Sequence, residues 1–152
     1  MRYRLISIGL PRRGFMAEAS DHYARRLRAY AKLDVVGLKE AHAQGADATR
    51  TAESLALRSA ASGHVVALDE RGRRFGTAEL ARRVTELETR GVSRLSLLVG
   101  GAEGHAPELL EEVDESWSLS SLTMPHELAR LVLLEQLYRI ETLRAGHPYH
   151  RE

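Results

Sequence analysis

The chain has 152 residues, of which 43% are hydrophobic and 28% charged, a composition typical of one soluble globular domain. It contains no cysteine, which excludes disulfides and thiolate-bound metals, and no stretch approaches the roughly 20 apolar residues of a membrane span. The N-terminal apolar run is also too short for the core of a signal peptide, so we expect a cytoplasmic protein.

The formal net charge is only +1, but 20 of the 22 basic residues are arginines and several of them cluster. A guanidinium can bind phosphate through two parallel hydrogen bonds, which a lysine cannot do. For any single cluster, arginines on a solvated helix face are the simpler interpretation. The clusters are Arg12–Arg13, Arg25–Arg26 with Arg28, Arg71 with Arg73–Arg74, and Arg82–Arg83.

Strand-like and helix-like segments alternate along the chain. Short apolar or β-branched runs predict strands, and Ala-, Leu- and Glu-rich stretches with helical spacing predict helices. In chain order, strands are predicted at 5–10, 33–38, 64–68, 94–99 and 117–119, and helices at 14–30, 46–62, 77–90, from 107 onward, and at 125–144.

Residues at the predicted helix ends agree with this order. Thr77 is suited to an N-cap, Gly91 and Gly146 follow helix ends, and Pro107 begins a helix. Alternating strands and helices predict an α/β fold with a parallel-type sheet and helices on both faces. Without an internal repeat or linker, residues 1–152 are expected to form a single domain.

Three turns carry the residues expected to bind a ligand, because ligands bind beyond the carboxyl ends of strands in open parallel sheets. They are residues 68–72, the glycine segment 100–105 and the loop 119–125. The glycines allow the backbone to approach a ligand closely, and the hydroxyl and aliphatic residues of the last loop suit an adenosine pocket. The glycine segment could also be a generic tight turn, and the last loop could be a simple polar loop. Alone, these features predict an α/β nucleotide-binding domain.

Four segments, taken in order and spacing, are similar to one family. They read LVGGAEGH at 98–105, LSSLTMPHELAR at 119–130, LEQLYR at 134–139 and GHPYHR at 146–151. This pattern resembles the bacterial ribosomal RNA large subunit methyltransferase H family, the pseudouridine N3-methyltransferases of the knotted SPOUT class. The likeness spans essentially the whole chain, with Ala102 where other members have proline.

The resemblance implies a C-terminal trefoil knot, a homodimer, and S-adenosyl-L-methionine as the methyl donor, with no metal. It also implies a pseudouridine of 23S ribosomal RNA as substrate, recognised on the assembled 70S ribosome. The cofactor-binding positions carried over from the family are Leu68, Gly100, Gly101, Leu119, Ser120, Ser121, Leu122, Thr123 and Met124.

Methyl transfer from a sulfonium needs mainly alignment and exclusion of water, but the N3 imide of pseudouridine must also lose its proton. A base or a positive charge should therefore lie nearby. Glu135 and Arg139 are expected to form a structural ion pair instead. The candidate catalytic residues are His126, Arg130, Tyr149, His150 and Arg151, the last three in a tail expected to complete the partner subunit's active site.

Three alternatives remain open from the sequence. The chain could be a knotted methyltransferase acting on transfer RNA, or a ribosome-associated binding protein without activity. The third alternative, a flavodoxin-like nucleotide domain, is disfavoured because residues 10–14 (LPRRG) make a poor phosphate loop.

Overall fold

The structure, a computed structural model, describes residues 1–149 and contains ten regular elements in that part. They follow the alternating order predicted from the sequence. The elements are β1 (Arg2–Ile8), α1 (Phe15–Arg28), β2 (Lys32–Leu38), α2 (Ala46–Ala60), β3 (His64–Arg74), α3 (Thr77–Thr89), β4 (Arg94–Val99), α4 (Pro107–Glu112), β5 (Glu115–Ser118) and α5 (His126–Arg144).

The five strands form one parallel sheet in the order β2-β1-β4-β3-β5. The inner strands of this order are largely apolar because helices cover both of their faces. In β1, Ile6 aligns with Val36 of β2 on one side and with Leu98 of β4 on the other. All carboxyl ends therefore lie at the same edge of the sheet, and this edge carries the candidate site.

Side chains alternate between two helical layers along each strand, as the two-residue period of a strand requires. Leu5 and Leu97 pack in the larger core together with α1, α3 and α5. Ile8 and Leu98 pack in a smaller core on the opposite face with α2 and α4. The result is a three-layer α/β/α sandwich, which confirms the predicted fold class.

Helix α5 spans the larger face and determines where the C-terminal residues lie. Pro125 is its N-cap, and Gly146 adopts a φ of +72° just after its end, a conformation that favours glycine. Leu133, Leu137 and Ile140 of α5 are completely buried in the larger core. No helix in the described part of the chain is long and apolar enough to cross a membrane.

Several predicted boundaries were wrong. The first strand begins at Arg2 and ends at Ile8 instead of covering 5–10, because its pairing with β2 and β4 includes the polar N-terminal residues. Thr77 is the first helical residue and not the N-cap. Gly76 is the N-cap, and its N–H donates to the Glu79 carboxylate at 2.9 Å. The third and fifth strands also differ, since β3 extends to Arg74 and β5 covers Glu115–Ser118.

Candidate functional site

Two adjoining cavities lie at the carboxyl ends of β3, β4 and β5. The larger has a volume of about 570 Å³ and the smaller about 130 Å³, and both are lined by Leu68, Glu70, Met124 and Ala129. Gly100 and Gly101 line the larger cavity, whereas Leu119, Ser120, Leu122 and Thr123 line the smaller one. Ser121 is exposed and lines neither cavity. The structure thus brings together eight of the nine predicted cofactor-binding residues.

The glycine loop forms one wall of the larger cavity, and it is closely packed from behind. A Cβ on Gly101 would lie 2.7 Å from Glu53 Oε2 and 3.1 Å from Ile8 Cγ2. A Cβ on Gly100 would lie 3.2 Å from the backbone of Gly104 and from the ring of His105. A side chain at either position would therefore crowd its neighbours, and the cavity keeps a bare backbone wall.

The turn after residue 68 leaves the sheet as a wide bulge. Both Leu68 and Arg73 align with Trp117 of β5, so the residues between them are displaced from the ladder. The Asp69 carboxylate accepts the Arg71 N–H at 2.9 Å and stabilises this turn. The bulge brings Glu70, which the sequence pattern did not single out, to the edge of both cavities.

A hydrogen-bonded cluster holds β5 in place beneath the loop that follows it. The Glu115 carboxylate accepts hydrogen bonds from Arg83 Nε at 3.1 Å and from Trp117 Nε1 at 2.9 Å, and it lies 2.8 Å from His64 Nε2. Partial burial alone would raise the pKa of Glu115, but these hydrogen bonds outweigh burial and lower it. The charged cluster therefore fixes the start of the 119–125 loop.

His105 lines the larger cavity and is only 6% exposed. Neither ring nitrogen makes an aligned hydrogen bond with the described residues. Burial lowers the pKa of His105, while the Asp69 carboxylate and the nearby carbonyls of Leu98 and Leu68 partly oppose this effect. The sequence pattern indicated the segment 100–105 but not this side chain. A neutral imidazole here does not repel a cationic ligand.

His126 and Arg130 lie one helical turn apart on α5 but face different surroundings. His126 lines the larger cavity. Arg130 is 1% exposed, and its Nη1 donates to Ser7 Oγ at 3.2 Å and to the Gly9 carbonyl at 3.0 Å, at the end of β1. Its Nε and Nη2 have no partner within residues 1–149, and burial lowers its pKa despite Glu127 nearby. Arg130 thus places a buried charge beside the end of β1.

Tyr149 is partly buried against the larger core and lines neither cavity. Its hydroxyl donates to Glu135 Oε1 at 3.3 Å, and its ring centroid lies 4.6 Å from that of Tyr138. Partial burial and the Glu135 charge raise the pKa of Tyr149. The predicted ion pair is confirmed, since Arg139 Nε donates to Glu135 at 3.0 Å. His150 and Arg151, also predicted as catalytic, lie outside the described residues.

No group of His, Asp or Glu side chains suited to a metal ion occurs in residues 1–149. The two cavities are lined by backbone groups, apolar side chains and isolated polar side chains. Such a lining is typical of a site for a nucleoside-containing cofactor.

Comparison with known proteins agrees with this description. A family model described as a predicted SPOUT methyltransferase matches residues 1–150. Ribosomal RNA large subunit methyltransferase H of Thermus thermophilus is 47% identical over 152 residues, covering 99% of both chains. The protein of the same name from Rubrobacter xylanophilus is 43% identical, covering 98% of both chains.

A solved structure supports the fold alone. The structure of a probable methylase family protein from Haemophilus influenzae Rd KW20 superposes with a TM-score of 0.57 at 11% identity, covering 99% of this chain and 70% of that one. Its fold and the matching family model both agree with the α/β-knot class predicted from the sequence. The chain is a member of the SPOUT methyltransferase family, within the group of ribosomal RNA large subunit methyltransferase H proteins.

Proposed function

We propose that this protein transfers the methyl group of S-adenosyl-L-methionine to N3 of a pseudouridine in 23S ribosomal RNA, on the assembled ribosome in the cytoplasm. The observation that carries the proposal is the pair of adjoining cavities beside the glycine loop, in a chain that belongs to a ribosomal RNA methyltransferase family. The roles of the cofactor, the proton and the subunits follow from the residues around those cavities.

The residues of the cavities suit S-adenosyl-L-methionine. Leu68 and Met124 border both cavities and provide apolar surface for an adenine ring, while the bare backbone at Gly100 and Gly101 allows a close approach. The exposed Glu70 carboxylate at the edge favours a positively charged ligand. When bound, the cofactor supplies a methyl group on a cationic sulfur, which departs as a neutral thioether.

The protein must also remove the proton from N3 of the substrate base, because only the deprotonated imide is a good nucleophile. His126 is the candidate acceptor for this proton, since it lines the larger cavity. Arg130 lies one turn further along α5 and lines neither cavity, but its buried guanidinium, whose Nε and Nη2 have no partner within residues 1–149, favours the negative charge left on the imide through its electrostatic field. A cofactor held by the two cavities would supply the methyl group that replaces this proton on N3.

The working unit in this proposal is a homodimer in which the tail of one subunit completes the site of the other. Tyr149 of a subunit packs against Tyr138 and Glu135, away from the cavities of its own chain. A tail that starts from this surface is better placed to reach a second copy. An aromatic ring, an imidazole and a guanidinium can together stack on a base and bind phosphate.

The test is methyl transfer from labelled S-adenosyl-L-methionine to purified 70S ribosomes, free 23S ribosomal RNA and transfer RNA. We expect label in ribosomes, and mass spectrometry should find one added methyl group at N3 of a pseudouridine. Label found only in transfer RNA would mean that the protein is a knotted methyltransferase acting on transfer RNA. A protein that does not bind the cofactor in calorimetry would be a binding module instead.

A further inference from the structure

A second group of chemically distinctive residues lies at the carboxyl ends of β1 and β2. Residues 9–12 of the loop after β1, the end of β2 and the start of the loop after β2 line an open depression of about 810 Å³. Arg12 and Lys39 line the depression. Phe15, the first residue of α1, is 77% exposed, which is unusual for a large aromatic side chain.

The basic side chains of this region have no internal partners in the described structure. Arg12, Arg13 and Lys39 are exposed or line the depression, and none takes part in an ion pair within residues 1–149. The acidic residues Asp21 and Glu40 also line the depression. Anion binding is therefore expected at the two arginines of the loop, and not across the whole depression.

This loop begins in contact with the candidate active site. The Gly9 carbonyl accepts a hydrogen bond from Arg130 Nη1 at 3.0 Å. Ile8, the last residue of β1, packs so closely against Gly101 that a Cβ there would be 3.1 Å from Ile8 Cγ2. β1 and β4 are adjacent parallel strands, so their carboxyl ends lie about 5 Å apart. A ligand held by the loop would extend towards the methyl donor.

We propose that Arg12, Arg13 and Phe15 form an RNA-binding arm that holds an unpaired nucleotide next to the cofactor cavity. The two guanidinium groups bind phosphates, and the Phe15 ring stacks on an unstacked base. This combination fits a loop or bulge in RNA and not a continuous duplex, whose bases are unavailable for stacking. The inference rests on the proposed function, since it concerns how the RNA substrate is held.

The test measures binding of the full-length protein to a fluorescent RNA hairpin with an unpaired loop and to a blunt duplex of the same stem. Phe15→Ala should weaken hairpin binding about tenfold and leave duplex binding unchanged, and Phe15→Trp should retain hairpin binding. The double variant Arg12→Gln/Arg13→Gln should weaken both and make the slope of log K against log salt shallower by about 1.4, for two single-strand phosphate contacts.

A matched control is the double variant Arg82→Gln/Arg90→Gln. Both arginines are exposed on or just after α3, away from the carboxyl edge, and the substitution removes the same charge. We expect the control to keep the hairpin affinity and the salt slope of the unmodified protein. Equal losses in the two double variants, or equal effects of Phe15→Ala on hairpin and duplex, would overturn the inference.

Two further measurements distinguish RNA binding by the arm from a role in cofactor binding or in subunit contact. Cofactor affinity should be unchanged in all variants, and light scattering should give the same mass for Phe15→Ala as for the unmodified protein. A smaller mass would mean that Phe15 belongs to a subunit interface, which overturns the RNA-binding arm. Ribosome methylation that survives Phe15→Ala at full kcat/KM overturns this inference alone, whereas no methylation by the unmodified protein overturns the proposed function.

Discussion

The carboxylate of Glu53 lies directly behind Gly101, so close that a Cβ on Gly101 would be 2.7 Å from Glu53 Oε2. Glu53 is 4% exposed, and its Oε1 accepts the Ala41 N–H at 3.0 Å. Its Oε2 has no hydrogen-bond donor among the residues described. Glu53 of α2 therefore contacts two loops. It packs against the glycine loop at Gly101, and it accepts a hydrogen bond from the loop after β2 at Ala41.

Gly101→Ala should weaken cofactor binding because the new methyl group must push the glycine loop into the cavity. We expect the Kd for S-adenosyl-L-methionine, measured by calorimetry, to rise about tenfold, which corresponds to about 1.4 kcal/mol. Gly76→Ala is the control, since a Cβ there meets nothing closer than 3.7 Å. The double variant Gly101→Ala/Glu53→Asp, with a shorter carboxylate side chain, should recover part of the affinity. A double variant no better than the single one would rule out the steric explanation.

Arg130 should be more important for activity than for stability. The guanidinium is buried with Nε and Nη2 unpaired in the described part of the chain, and a buried charge in that condition contributes little to folding. Arg130→Met should change the free energy of unfolding by no more than about 1 kcal/mol. Methyl transfer should fall about 100-fold if the charge favours the imide anion.

Thermal unfolding and kcat/KM of the same Arg130→Met preparation distinguish the two roles. Arg130→Lys keeps the charge and should retain more activity than Arg130→Met. A large loss of stability with activity lowered only in proportion to the unfolded fraction would make Arg130 a structural residue.

The strands and the position of the site were predictable because their signals are local. β4 was predicted with its observed bounds, since the apolar run of 94–99 is closed by two glycines. The three turns that line the cavities were predicted as a candidate site because ligands bind at the carboxyl edge of parallel sheets. β5 was placed two residues too late because Glu115 and Ser116 are polar, and only their pairing with β3 makes them part of the strand.

The residues that the sequence did not reveal depend on contacts between distant segments. Glu53 is 48 positions from Gly101 in the chain, on a helix whose exposed and buried faces give no sign of the glycine loop. Glu70 reaches the cavities only because the bulge in β3 displaces it, and this bulge depends on pairing with Trp117. No local pattern specifies either contact.

Deleting residues 148–152 should abolish methyl transfer while cofactor binding and the folded state survive. Tyr149 is only partly buried where it packs against the larger core, and none of the cavity-lining residues is deleted. Circular dichroism, calorimetry with the cofactor and label transfer to ribosomes measure the three properties. Full turnover by the truncated protein would reject a role for the tail.

A mixed dimer shows which subunit the tail serves. One subunit lacks residues 148–152, and the other carries Gly101→Ala in an otherwise complete chain. If each tail completes the partner's site, the mixed dimer has one site with both an intact cavity and an intact tail. Measured at a cofactor concentration below the Kd of the unmodified protein, its activity then exceeds that of either parent dimer. Activity no greater than that of the parents means that each tail serves its own subunit.

Acidification should destabilise the fold through His105. Burial lowers the pKa of His105 below its ordinary value of about 6.5, so the unfolded chain binds the proton more readily than the folded one. The stability associated with the neutral ring is therefore present above about pH 6.5, and it decreases as the pH falls from there towards the folded-state pKa. The melting temperature should decrease more steeply between pH 7 and about pH 5.5 in the unmodified protein than in His105→Gln.

Cofactor binding should also weaken on acidification, because a protonated His105 in the larger cavity would repel a cationic sulfonium. The Kd for S-adenosyl-L-methionine should rise on acidification in the unmodified protein and much less in His105→Gln. His22→Gln, which removes an exposed histidine of α1, is the matched control and should keep both pH dependences. If His105→Gln retains the full pH dependence of melting and of binding, the titrating group is elsewhere, because a neutral amide in this position takes up no proton over the same interval.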